Sequence, residues 1–354
     1  MKKIKSMNKF TLTNIKSYGL VLIAFAILFP MQSSGLINNS ISGQLVPICT
    51  YIVMAISLTL TVGFLGELSL GHAGFMSVGA FSGVITAICL QGAIPVPWLR
   101  LLVAVIIGGI FAGIAGLIIG IPVLRLRGDY LAIVTLAFGE IIKNIINCVY
   151  VGVDKGGLHL SMKSADALNM ENGKLILNGP QGAVGIMKLS SFTSGVILIL
   201  FALFIVLNLV NSKTGRAVTA IRDNRIAAES VGIGITRYKL TAFITSAVLA
   251  GMAGAMYAMN FSTIAAKKFD FNASILILVF VVLGGMSNIP GTIVATTLLY
   301  MLPELLREYA DYRMLLYAIV LIIVMLLTNS EKAKQMREVL VYKLKNMNQK
   351  RGEN

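Results

Sequence analysis

Few side chains in this sequence have the type and spacing to do chemistry. Glu140 and Lys143 stand three apart inside an apolar run, the spacing at which a carboxylate and an ammonium meet on one helix face. An ionisable group inside a span needs a partner or a role. The pair is read first as structural, with a substrate contact as the rival. His72 lies at the edge of another apolar run and is read as a hydrogen-bonded core histidine in preference to a ligand or proton relay. His159 falls in a polar stretch and points to no chemistry. Cys49, Cys89 and Cys148 sit in apolar stretches without metal-ligand spacing, as thiols do when they pack as small hydrophobes. There is no H-E-x-x-H and no Cys/His cluster. The phosphate-loop pattern is also missing, since Gly173-Lys174 is followed by Leu175, so no ATP is expected to bind here through that motif. Neither a cofactor nor a metal is expected on this chain, and enzyme activity is not expected either.

The composition explains this poverty. Of 354 residues, 56% are hydrophobic and only 13% charged, and mean hydropathy is +0.83. A water-soluble fold cannot hide that much apolar surface, so the bilayer is the solvent. At roughly 20 apolar residues per span, the length leaves little for a separate soluble domain. The whole chain, 1–354, reads as one transmembrane domain and, in fold class, as an all-α, polytopic helix bundle. The net charge of +15 belongs to membrane topology and anionic lipid, and nucleic acid is not expected as a partner.

Apolar runs occupy Tyr18–Met31, Leu45–Leu65, Leu68–Leu90, Leu101–Leu124, Tyr130–Val151, Thr193–Val210 and Leu240–Asn260. The run Ala273–Pro303 is interrupted at Gly284-Gly285-Met286-Ser287-Asn288-Ile289-Pro290-Gly291, and Met314–Thr328 closes the bundle of 18–328. The charge rule settles how the interruption is counted. Lys2, Lys3, Lys5, Lys9 and Lys16 precede the first run without an acid, and the tail 331–354 carries Lys332, Lys334, Arg337, Lys343, Lys345, Lys350 and Arg351. Both termini are therefore expected in the cytoplasm, which requires an even number of crossings. Reading the interruption as two short spans gives about ten, broken or short ones included. The loop Glu304–Arg313, with Glu304, Glu308 and Asp311, then falls outside. The first run is read as a retained span rather than a removed leader. The polar segment 152–191 is expected on the extracytoplasmic side and 211–239 on the cytoplasmic side.

Gly79 and Gly83, Gly109 and Gly113, and Gly116 and Gly120 are each four apart, a spacing that lets helix backbones approach closely. The run Gly63–Gly74 mixes glycine and alanine with Glu67 and His72 and reads as a broken or re-entrant element beside a cavity, with a sharp turn in the bundle as the alternative. In the 211–239 segment, Ala217, Ala220, Ile221, Ala227, Ala228 and Val231 fall at offsets 0, 3, 4, 10, 11 and 14. They make one apolar stripe of a short helix, with Gly232 and Gly234 as stops. Three placements compete: on the lipid surface, on its own bundle, or docked into a partner. The mixed charge of Arg216, Arg222, Asp223, Arg225 and Glu229 favours docking.

Leu124-Arg125-Leu126-Arg127-Gly128-Asp129-Tyr130-Leu131-Ala132-Ile133-Val134-Thr135-Leu136-Ala137-Phe138-Gly139-Glu140 closely resembles a signature of high-affinity branched-chain amino acid ABC permeases, M-type subunit. Gly71-His72-Ala73-Gly74-Phe75, the segment from Gly215 to Phe243, and Val281-Val282-Leu283-Gly284-Gly285-Met286 resemble the same family. The resemblance covers about Gly63 to Thr328, and the outer segment 152–191 departs from the pattern. It implies a multi-pass permease of a bacterial cell membrane, with a compact fold resembling the type II importer permeases for ribose and vitamin B12. It further implies a second permease subunit, two cytoplasmic ATPase subunits that hold the ATP and Mg, and an extracytoplasmic amino-acid-binding protein. Arg216, Ala220, Arg222, Asn224, Ala227, Ala228, Glu229 and Gly232 become the ATPase-coupling residues. Glu67, Gly71, His72, Gly74, Thr135 and Glu140 become candidates for the translocation path. Permeases for urea and short amides share much of the signature and stand as the alternative. From another class comes an ion-coupled secondary transporter, which would need membrane-embedded acids beyond Glu140.

Overall fold

In a computed structural model of the chain, the residues described are 9–306 except 36–37, 127, 155–156, 169 and 171–172, with isolated residues between 312 and 322. Two compact units divide it at Thr297 and Leu298. The helices of the first unit are α1 (Lys9–Ser33), α2 (Asn39–Leu58), α3 (His72–Cys89), α4 (Pro97–Val123), α5 (Asp129–Cys148), α6 (Phe192–Asn211), α7 (Lys213–Asp223), α8 (Arg225–Ser230), α9 (Ile235–Ala258) and α10 (Phe271–Gly284). Helix α11 (Ile289–Leu305) begins in the first unit and ends in the second.

Seven of the described helices are long and apolar enough to cross a membrane, and α10 and α11 are shorter apolar helices. The interruption in Ala273–Pro303 is a true break. Gly285 (φ 93°) and Ser287 (φ 69°) turn the chain between α10 and α11. The other break also appears: α2 loosens into a π-helical turn at Thr59–Phe64, and α3 starts only at His72. Met314–Thr328 lies for the most part, and the tail 331–354 wholly, outside the described residues.

The expectation of an all-α chain is corrected in the polar segment. Five antiparallel strands form a sheet in the order β2-β1-β3-β4-β5. They are β1 (Tyr150–Asp154), β2 (Gly157–Ser161), β3 (Lys174–Asn178), β4 (Ala183–Val184) and β5 (Thr263–Ile264). Val151 and Val153 alternate with Gly152 and Asp154, the period-two pattern of a strand. Ile176, Leu177 and Ala183 are buried. Because β5 follows α9, the sheet caps that end of the bundle, and α7 and α8 lie at the other.

The bundle is organised around α2 and α9. The apolar window of α2 is wholly buried, and its hydroxyls bond to its own turns, as Thr50 does to the Pro47 carbonyl and Ser57 to that of Met54. This keeps polar atoms satisfied where no water can reach. Helix α9 presents Ala247, Ala250, Gly251, Ala253, Gly254 and Ala255, all buried. The three glycine pairs of the sequence all close onto it. A Cβ on Gly79 would lie 2.1 Å from the Gly251 carbonyl oxygen, on Gly83 2.6 Å from the Ala255 Cβ, on Gly113 2.7 Å from Val248, and on Gly116 2.7 Å from the Ala247 Cβ. Backbone contact of this kind replaces the hydrophobic drive that lipid cannot supply.

Candidate functional site

The end of the bundle opposite the sheet gathers both breaks and both short helices. Here Arg222, near the end of α7, joins three parts of the chain. Its Nη1 donates to the Gly63 carbonyl at 3.0 Å and lies 3.3 Å from Ser287 Oγ. Ser287 Oγ itself donates to the Gly63 carbonyl at 2.6 Å. Arg222 Nε and Nη2 both reach Asp223 Oδ1, at 3.1 and 2.9 Å. Beside them lies a cleft of about 500 Å³ lined by Val62, Gly66, Glu67, Asp129, Met286 and Ser287, among others. Two glycines make room for the joint. A Cβ on Gly66 would lie 2.5 Å from Arg222 Cγ, and one on Gly63 2.5 Å from the Ser287 nitrogen.

Glu67 faces the cleft and pairs with Lys239 at the start of α9, through Lys239 Nζ and Glu67 Oε1. Both side chains are largely buried. An ion pair withdrawn from water holds only while both partners remain, so it ties the α2–α3 link to α9.

The segment 211–239 forms two helices where one was expected. Asn224 ends α7 and caps α8, its Oδ1 accepting from the Ala227 nitrogen at 3.0 Å. It occupies offset 7 of the stripe, the one turn at which no apolar residue stands. Ala217 and Ile221 are buried, as is Ala228, which packs with Ile221 and Ile235. Ala220 is half-buried, whereas Arg216, Ala227, Glu229 and Gly232 are exposed. Thus part of the stripe, Ala228 included, faces the protein's own fold. The apolar surface offered outward is instead Ile226, 81% exposed, and Val231, 75% exposed. Gly232, at φ 83°, closes α8, and the Ile233 nitrogen returns to the Ala228 carbonyl, a left-handed C-cap.

The candidate path residues fall into separate contacts. His72 Nε2 lies 2.8 Å from Ser246 Oγ, which in turn donates to the Ser57 carbonyl. A hydroxyl has one proton and a carbonyl can only accept, so His72 carries its hydrogen on Nε2 and ties α3 to α9. Gly71 and Gly74 pack against α5, where a Cβ would lie 2.4 Å from the Thr135 carbonyl oxygen and 2.8 Å from Gly139 Cα. Thr135 Oγ1 accepts from the Leu70 nitrogen at 3.1 Å. Glu140 pairs with Lys143 as the spacing suggested, and its Oε1 also accepts from the Phe271 nitrogen at 3.1 Å. Of these residues only Glu67 lines the cleft.

Sequence reasoning missed Lys239, Ser246 and Ile226, and held Gly66 and Ser287 only as members of the Gly63–Gly74 run and of the interruption at 284–291. Lys239 stood at a span edge as an ordinary flanking cation, and nothing local marks Glu67 as its partner. Among the described residues, no three His, Cys, Asp or Glu side chains converge as metal ligands would.

Comparison with known proteins gives a family to this arrangement. Residues 40–327 match the family described as branched-chain amino acid transport system, permease component. The chain is 31% identical over 330 residues to the high-affinity branched-chain amino acid transport system permease protein LivM of Salmonella typhimurium, covering 88% of this chain and 73% of that one. It is 32% identical to LivM of Escherichia coli over the same share of each. With LivH of Salmonella typhimurium, the permease protein of the same name otherwise, it shares 22% identity over 78% of this chain and 89% of that one. No solved structure matches the chain.

Proposed function

The chain belongs to the branched-chain amino acid transport system permease family, and from that membership we propose that it is the M-type permease subunit of an ATP-driven importer for leucine, isoleucine and valine. The observation that carries this reading is the LivM likeness across most of the chain, joined to a short helix pair that projects Ile226 and Val231 from one end of the bundle.

In this reading the end bearing α7 and α8 is cytoplasmic and the sheet is outside, as both basic termini require. Of the two ATPase subunits, which hold ATP and Mg, one docks on α8 through Ile226, Ala227 and Val231, with Arg216 and Glu229 at the rim. This chain holds no cofactor of its own. A second permease of the LivH kind completes the membrane unit, and a loaded amino-acid-binding protein docks on the sheet end. Closure of the ATPases moves α8 and α7, and the spans shift between two arrangements. The Gly/Ala-lined contact of α3, α4 and α9 is too close to slide, so that group moves as one body. Ten spans complete the count, with α10 and α11 as two short ones joined on the cytoplasmic side.

Proteoliposomes containing the full complex test this. Uptake of labelled leucine, isoleucine or valine should require ATP, the ATPases and the binding protein. Gradient-driven uptake by the chain alone would overturn the reading in favour of an ion-coupled carrier. Uptake of urea or short amides in place of the amino acids would keep the importer and overturn its substrate.

A further inference from the structure

Resting on the importer reading, we propose that Arg222 is a positioning residue: a clasp that carries the movement of α7 into the α10–α11 hairpin and the end of α2, and not a docking contact for the ATPase. The Gly63 carbonyl is the meeting point. It belongs to the last turn of the α2 extension, where carbonyls lack intrahelical partners and the helix dipole favours a cation. Arg222 and Ser287 both bind that oxygen, although they stand 159 and 224 residues away in the chain. Asp223 holds the other edge of the guanidinium. Four of its five N–H groups are thereby engaged, which leaves little for a partner protein. A lysine could not span these acceptors, because it has no rigid fork.

The surroundings are shaped for this contact. Gly66, at φ 75°, admits the arginine stem, and Gly63 admits the hairpin. Ser287 holds a left-handed φ of 69°, a conformation that persists in a non-glycine residue only where its neighbours impose it. The adjoining cleft, about 500 Å³, leaves one side of the clasp unpacked, so the hairpin has room to swing when α7 moves. Two discrete arrangements of one packed element are what transmission between distant sites requires.

The complete complex carrying Arg222→Gln or Arg222→Lys tests the clasp. The ATPases should co-purify as in the wild type and still hydrolyse ATP. Amino acid moved per ATP should fall by about tenfold or more, within the usual range of a coupling interaction. Unchanged transport per ATP would overturn the proposal, and so would loss of the ATPases, which would make Arg222 a docking residue. A second measurement uses the isolated permease, free of native cysteines, with spin labels at Thr219→Cys and Asn288→Cys. The distance distribution should be narrow and should broaden with Arg222→Lys. An unchanged distribution would overturn the clasp even if the importer reading stood. Uptake without ATPases would overturn that reading while leaving this measurement to judge the clasp.

Discussion

Replacing Gly79 by alanine should damage this protein more than any surface change, although it adds one methyl group. The new Cβ would sit 2.1 Å from the Gly251 carbonyl oxygen and 2.3 Å from its Cα, where ordinary contact begins at 3.4 Å. The obstacle is backbone on a neighbouring helix, so no side chain can swing aside. Helix α3 must retreat from α9 by about 1 Å, and a gap of about 0.5–1 Å already forfeits a quarter to a half of each dispersion contact. The retreat also opens the contacts of Gly83 with Ala255 and of Gly254 with the Met76 carbonyl. Overpacking of this kind costs about 1–3 kcal/mol, and the shared seam puts Gly79→Ala near the top of that range. Gly43→Ala is the matched control. Nothing lies within 4 Å of its Cβ position in α2, so it should be neutral or gain up to about 1 kcal/mol from helix propensity. Thermal unfolding of the purified permease followed by fluorescence-detected size exclusion reads both. If Gly79→Ala melts with Gly43→Ala, the α3–α9 seam is not as close as described and its role as a rigid body falls.

Three further sets of substitutions separate packing from docking. Glu67→Gln or Lys239→Met alone should destabilise by about 3–5 kcal/mol, since each strands a buried charge; the double variant should recover most of the loss, and strictly additive effects in a double-mutant cycle would deny the pair. Ser287→Val should destabilise by about 1–3 kcal/mol because a β-branched residue resists positive φ, whereas Ser287→Gly should cost less, trading the two hydrogen bonds of the hydroxyl for relief of strain; equal melting of the two would contradict the observed turn. Ile226→Asp and Val231→Asp should leave the isolated permease as stable as wild type yet strip the ATPases during purification, while Ala228→Asp should lower the melting temperature of the permease itself; ATPases retained on both exposed variants would refute α8 as the docking element.

What could be read from the sequence follows from the range of the interactions involved. Spans were legible because apolar length is a local property, and the break between α10 and α11 was legible because Gly284-Gly285 and Pro290-Gly291 are local punctuation. The pair Glu140–Lys143 was legible at a spacing of three. The glycine pairs announced a close helix contact, but the sequence could not say that α9 receives all of them. Contacts across the fold left no local trace: Lys239 with Glu67 and His72 with Ser246 each join residues more than 170 positions apart. The sheet was missed because its strands are two to five residues long, too short to stand out in a polar stretch. One strand is supplied from beyond α9. The division of the 211–239 segment into two helices was readable in principle. An asparagine stood at the single empty turn of an otherwise regular stripe, and asparagine is among the preferred helix N-caps.

The distribution of contact types argues for how such a bundle can move without coming apart. Lipid gives no hydrophobic reason for one helix to hold another, so either close backbone packing or a polar contact must do so. Here the two are divided between places. The interior of α3, α4 and α9 is held by glycine and alanine, where any displacement costs many contacts at once. The ends of the broken spans meet at a joint of few, directional groups, Arg222, Ser287 and Gly63. A hydrogen bond can break and re-form at small net cost, whereas a dry Gly/Ala seam cannot open by degrees. If α8 is the element an ATPase moves, as proposed, the joint at Arg222 gives that movement a soft route through α7 into the ends of the broken spans, whereas the route through α9 meets the rigid group first.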